Sequence, residues 1–349
     1  MVNLNNIGIN GFGRIGRVLH RIISNRNDFS LVAVNDINPD INNIAYLANY
    51  DSTYGQLKNK FTAEKDFLVN DSEKIKVFSN AKIDEVPWSE IGVDILIDSS
   101  GIDQNLKDSI NLKKSLKNII FTNSPNPSLV DRTVIYGVNH KEIDISKDFL
   151  VASSICDATA ISPILKLLND TFAIKKGFVT TLHPWLGYQN LLDGPSKSYA
   201  VPGEIIDNYA LGRSSSMTLI PKNTSAVTAT YKVLPELKDK FVAYSYRIPT
   251  NIVSSADLTI QLEKKIDFNL IEETLHNYSK QNPEILSINK DALVSSDFVS
   301  STFSGVIDYR FLSVKEDMVK IMVWYDNEWG YSSRVVDLLG HLKKAHNLS

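Results

Sequence analysis

The first part of the chain alternates short apolar runs with longer amphipathic ones. "NIGIN" (6–10) reads as a buried strand, "RIGRVLHRIISNR" (14–26) as a helix and "LVAVND" (31–36) as the next strand; "VDILIDSS" (93–100) and "NIIFTN" (118–123) follow as later strands. Short parallel strands joined through helices predict an α/β, Rossmann-type doubly wound sheet. Between them, "GQLKNKFTAEKDFLVNDSEKIKVFS" (55–79) reads as small antiparallel strands. From about residue 152 the texture changes. After a helix at "AISPILKLLNDTF" (160–172), strand patterns dominate in "GFVTTLH" (177–183), "FVAYSYRIP" (241–249), "SSADLTIQL" (254–262) and "VKIMVWYD" (319–326). One helix, "EETLHNYSKQN" (272–282), sits among them, and the amphipathic "SRVVDLLGHLKKAHN" (333–347) ends the chain with the basic residues that a helix C-terminus favours. The second half is therefore expected to be an α+β domain with a mainly antiparallel sheet.

At 349 residues, 43% hydrophobic and 22% charged, the chain has globular composition and room for two ordinary domains. A net charge of −3 lacks the basic footprint that nucleic acid or an anionic membrane surface requires, so small molecules are the expected partners, with no nucleic acid and no membrane. No run reaches the roughly 20 apolar residues that cross a bilayer, and "MVNLNNIGINGFGRIGR" shows no apolar signal region. The single cysteine, Cys156, has no partner for an internal disulfide, which makes a cytoplasmic location the expectation.

"INGFGRIGR" places Gly11, Gly13 and Gly16 in G-x-G-x-x-G order between a strand and a helix. The first glycine permits a tight turn, the second lets backbone approach a pyrophosphate, and the third allows close helix packing. By itself the motif is also compatible with a plain glycine-rich turn. Asp36 ends the second strand about 20 residues further on, where a carboxylate accepts the ribose hydroxyls of a dinucleotide and disfavours a 2'-phosphate. NAD is the expected cofactor, and no metal is called for.

Cys156 stands at a predicted helix start, where orphan amides favour a thiolate; the other reading is a small buried hydrophobe. With a dinucleotide fold and His183 at the end of "TTLH", the thiol and imidazole form a candidate pair for attack on an aldehyde and handling of its proton.

From "NGFGRIGR" and "VND" through "YDSTYG", "GVNH", "NDTFAI", "DGPSK", "KVLPEL", "RIPT", "ADLT" and "YDNEWGYS", the chain resembles the glyceraldehyde-3-phosphate dehydrogenase family from end to end. The resemblance implies an NAD-binding domain over 1–151, a catalytic domain over 152–318, a last segment 319–349 returning to the first domain, and a homotetramer. It implies Cys156 as nucleophile and His183 as base, with a thiohemiacetal losing hydride to leave a thioester. Asn327 falls on the residue that holds the nicotinamide carboxamide. Arg14, Ile15, Ser100 and Thr122 fall on or near other cofactor positions, while Ala81 replaces an arginine common over the adenine.

The departures concentrate in two anion sites. Where the family reads "SNASCTTNC" the chain has "ASSICDATA": Ile155 and Asp157 stand where serine and threonine help bind the attacking phosphate. Thr224 of "PKNTSAV" is kept, but Ser225 replaces a glycine. At ~4 Å and an effective dielectric near 20, like charges repel by roughly 4 kcal/mol, so Asp157 is expected to oppose inorganic phosphate. In the site for the substrate's own phosphate, "HPWLGYQ" supplies Leu186 and Tyr188 in place of hydroxyl or carboxylate residues, and Arg247 remains. The segment 198–216 is longer than the family's loop there. Three readings stay open: an NAD-dependent aldehyde dehydrogenase with altered substrate or acyl acceptor, hydrolytic in one version; a phosphorylating glyceraldehyde-3-phosphate dehydrogenase carrying tolerated substitutions; and a non-enzymatic NAD-binding protein.

Overall fold

The computed structural model describes residues 6–198, 201 and 203–348, so positions 199, 200 and 202 of the lengthened segment lie outside the described residues. The chain divides into two compact units. The first holds the described residues up to Tyr136, His140–Ser154 and those from Ser332 onward; the second holds Gly137–Asn139 and Ile155–Tyr331.

In the first unit the elements run β1 (Asn6–Asn10), α1 (Arg14–Ile23), β2 (Ser30–Asn35), α2 (Ile41–Asn49), β3 (Tyr50–Asp51), β4 (Gly55–Gln56), β5 (Thr62–Glu64), β6 (Phe67–Val69), β7 (Lys74–Phe78), β8 (Ile95–Asp98), α3 (Gln104–Asp108), β9 (Asn118–Phe121), β10 (Arg132–Thr133) and β11 (Leu150–Ala152). Among the described residues one sheet has the order β10-β11-β9-β8-β1-β2-β7-β6-β5. It is parallel from β10 to β7, and β5 and β6 extend it antiparallel. Every residue of β8 and β9 is buried, as expected for central parallel strands with both faces covered. The connection between them is only a five-residue α3 and a 3₁₀ turn, shorter than a full crossover helix. Asp40 caps α2 by accepting the Asn42 amide at 2.9 Å.

The second unit contains α4 (Cys156–Phe172), β12 (Ile174–Pro184), β13 (Ile220–Asn223), α5 (Ala226–Tyr231), β14 (Phe241–Ile248), β15 (Ser254–Leu262), α6 (Phe268–Gln281), β16 (Leu286–Asn289), β17 (Gly305–Asp308), β18 (Ser313–Lys315) and β19 (Met318–Tyr325). α7 (Trp329–Leu348) begins there, and its residues from Ser332 belong to the first unit. The sheet runs β13-β14-β12-β15-β19-β17-β16 with β18 on β19; it is mainly antiparallel, with β12–β14 and β16–β17 parallel. Ile161, Ile164, Leu165 and Leu168 of α4 pack in one core with Leu258, Ile260 and Val323 of the sheet. Each such side chain is worth about 1.5–3 kcal/mol of burial. The opposite sheet face leaves Phe178, Val242 and Tyr244 exposed.

Register positions the chemistry. Val323, Ala256, Thr181, Ser245 and Lys222 lie opposite one another across five strands, from β19 to β13. Two residues further along, Tyr325 pairs with Ser254, and His183 pairs with Arg247, itself opposite Ile220. Residues opposite each other, and residues two apart, share a face. Tyr325, His183, Arg247 and Lys222 therefore belong to the face bearing Val323 and Ala256, which is the one packed in the core with α4.

Candidate active site

Cys156 is the first residue of α4, after an extended Ile155 (φ −130°, ψ 161°) that offers no side-chain cap. Two residues before the thiol, Ser154 holds a left-handed φ of 62°, a conformation that costs energy for a residue with a Cβ. Asp157 lies in the first turn, where the helix dipole favours a carboxylate whatever its chemical role.

The Cys156 Sγ lies 3.6 Å from His183 Nε2 and 3.6 Å from Asp157 Oδ1. His183 Nδ1 lies 2.7 Å from the carbonyl oxygen of Pro184. A carbonyl only accepts, so Nδ1 carries the proton and the lone pair of the neutral ring at Nε2 faces the sulfur. Tyr325, 1% exposed, donates its hydroxyl to Asp157 Oδ1 at 2.7 Å. Asp157 Oδ2 accepts no hydrogen bond among the described residues.

Electrostatics correct one sequence expectation. A helix start favours a thiolate in the sequence; in the fold burial, with Asp157 second, pushes the thiol pKa well above the usual value, against opposing help from Arg247 and the Asp157 amide. Burial is the quantity that sequence does not display. His183 is pushed down to about 4 by burial and by Arg247. The resting pair is thus thiol and neutral imidazole. Burial, then the Asp157 charge, also keeps the Tyr325 phenol protonated.

Arg247 is 7% exposed, its Nε has no hydrogen-bond partner, and no carboxylate pairs with it among the described residues. Lys222, half-buried, interacts electrostatically with Arg247, Asp157 and Cys156 and likewise has no ion-pair partner there. One carboxylate against two cations leaves the face with a net positive charge. Cys156, Asp157 and His183 each offer a donor atom within 4.8 Å of the others, a grouping that metal ions use, but the two cations on the same face oppose a divalent ion.

The remaining predicted substrate positions keep local bonds. Thr224 Oγ1 accepts the Ala226 amide at 3.2 Å, Ser225 is an exposed N-cap residue of α5, and the Leu186 amide donates to Gln189. Tyr188 is half-buried on the loop after β12. Lys222 and Tyr325 were missed by the sequence reading, and only the strand register brings them in.

The first unit carries the glycine turn. Gly11 has φ +85°, and a Cβ there would meet the Ser100 amide nitrogen at 2.5 Å; a Cβ on Gly16 would meet the Gly11 carbonyl oxygen at 2.3 Å. Gly13 faces open space within 4 Å. These are the three requirements a pyrophosphate cradle places on its glycines. Asp36 accepts the Phe12 amide at 2.8 Å and the Asn38 amide at 2.9 Å, one on each oxygen. Arg14 pairs with Asp51 at 2.7 Å, and Ile15 is half-buried beside it on α1. The Ser100 and Thr122 hydroxyls bond to neighbouring backbone near the ends of β8 and β9. In the second unit, Asn327 is buried with its Oδ1 unpartnered, a vacant acceptor suited to a carboxamide NH₂. The residues of the first unit fit the dinucleotide.

Comparison with known proteins agrees. Residues 5–106 match the family model described as glyceraldehyde 3-phosphate dehydrogenase, NAD binding domain, and 155–327 match that family's C-terminal domain. The chain is 36% identical over 345 residues to glyceraldehyde-3-phosphate dehydrogenase 1 of Caenorhabditis elegans, covering 97% of this chain and 98% of that protein. A cytosolic enzyme of that name from Sinapis alba matches with the same figures. One from Ogataea parapolymorpha is 38% identical over 347 residues, again covering 97% and 98% of the two chains. No helix among the described residues is long and apolar enough to cross a membrane.

Proposed function

The chain belongs to the glyceraldehyde-3-phosphate dehydrogenase family as an NAD-dependent oxidoreductase, and we propose that it oxidises an aldehyde through Cys156, with substrate or acyl acceptor altered. In the form that Asp157 serves, the acceptor is water and the product a carboxylic acid. The observation that carries this reading is a buried carboxylate 3.6 Å from the thiol, in a site that keeps its imidazole at the same distance.

Gly11, Gly13, Gly16, Arg14, Ile15, Asp36, Ser100, Thr122 and Asn327 are the residues assigned to hold NAD. When bound, NAD supplies the acceptor for the hydride lost from the substrate carbon. As Sγ attacks the aldehyde carbon, His183 Nε2 takes the thiol proton and returns one to the forming hydroxyl. His183 then removes that hydroxyl proton as hydride departs, and a Cys156 thioester remains. A water adds to the thioester carbonyl while Asp157 Oδ2 receives its proton. The C–S bond breaks, and the sulfur recovers a proton from His183.

A second reading, release to phosphate, is favoured by one observation: Arg247 and Lys222 leave the face with net positive charge. Following NADH with glyceraldehyde 3-phosphate, with and without phosphate or arsenate, separates the two. Turnover indifferent to phosphate supports an altered acceptor; strong phosphate dependence overturns it.

The resemblance implies a homotetramer, and the exposed apolar sheet face at Phe178, Val242 and Tyr244 supports self-association. The relatives named as cytosolic support the same location here.

A further inference from the structure

Lys222 reaches the site by register alone. It lies opposite Ser245, which lies opposite Thr181, and one step along the same face the corresponding positions are Arg247 and His183. A half-buried ammonium on that face, beside a nearly buried guanidinium, neither with a carboxylate partner among the described residues, is costly to keep unless an anion completes it. Asp157 does not fill that role, since its one bonded oxygen is held by Tyr325 and it contacts neither cation within ion-pair distance. We propose that Lys222 is a specificity-determining residue: with Arg247 it holds one anionic group, phosphate or carboxylate, on the molecule that reacts at Cys156. This rests on Cys156 being the reacting thiol. Burial and Arg247 both lower the Lys222 pKa, which means that the ammonium gains from an incoming negative charge.

The test reads charge at the thiol without requiring turnover. Iodoacetate and iodoacetamide alkylate a cysteine by the same displacement, but only the first carries a carboxylate. Any change in the thiolate fraction cancels in the ratio of their rates. On the full-length protein, Lys222→Met should lower the iodoacetate-to-iodoacetamide ratio at Cys156 about tenfold, the size expected for removing one unit charge several Å away at moderate salt, while Lys222→Arg retains it. Inorganic phosphate and malonate are then tried as protectants against iodoacetamide. Whichever protects the parent protein and fails in Lys222→Met identifies the anion class. A ratio within twofold of the parent in Lys222→Met, or no protection by either anion, overturns the assignment while leaving the Cys156 reading intact. A cysteine inert to both reagents overturns that reading and the assignment with it.

Discussion

Tyr325 closes its hydroxyl on Asp157 Oδ1 at 2.7 Å, across 168 positions of sequence, and so fixes a carboxylate against the only thiol in the chain. The carboxylate is 7% exposed, and among the described residues its hydrogen-bond donors are the phenol and the thiol.

Tyr325→Phe therefore strips a buried acceptor of its donor. Such a loss costs about 1–3 kcal/mol. Chemical denaturation should show a drop of that size, and a cycle with Asp157→Asn should show coupling between the two positions. Additive effects would mean that the contact contributes nothing.

The thiol is held protonated by burial and by Asp157. Iodoacetamide labelling of Cys156 should rise only at alkaline pH, and Asp157→Asn should move the profile to lower pH. Cys156→Ser should abolish NADH formation and keep NAD binding, as measured by quenching of protein fluorescence.

His183 and His140 are both pushed from 6.5 to about 4, His140 by burial and then by His341. The unfolded chain takes up these protons near 6.5, the folded one only near 4. Stability is thus fully present above 6.5 and is lost as pH falls from there toward 4. Melting temperature should decline through that window, and His183→Asn should flatten the decline.

The glycines separate folding from cofactor binding. Gly13→Ala points its methyl into open space, so its melting temperature should match the parent while NAD affinity falls at least about tenfold, the methyl standing where a pyrophosphate approaches. Gly16→Ala drives a Cβ to 2.3 Å from the Gly11 carbonyl oxygen and should lower the melting temperature itself.

Much of the architecture was legible in the sequence because it follows from period. The alternation in 177–183 and 254–262 states which side chains turn inward, and the continuous apolar runs at 95–98 and 118–121 state that both faces are covered. Cys156 and His183 were legible as a candidate pair from a helix start and a strand end beside a dinucleotide fold, and the family resemblance supplied their roles, since 27 positions of separation carry no geometry by themselves. Lys222 and Tyr325 were not legible. Each enters the site through a cross-strand pairing, and a slip of one residue would have turned either to the other face. The direction of the thiol pKa was misjudged for a related reason: a helix start is visible in sequence, whereas the burial that outweighs it is a property of the packed fold.

The most direct measurement is rapid acid quench of the parent protein mixed with NAD and glyceraldehyde 3-phosphate in phosphate-free buffer, followed by peptide mass analysis. An acyl group on Cys156 that forms with NADH and decays to free thiol and carboxylic acid without phosphate is the predicted result. An acyl group that persists until phosphate is added, or NADH formed with no adduct on Cys156, would contradict it.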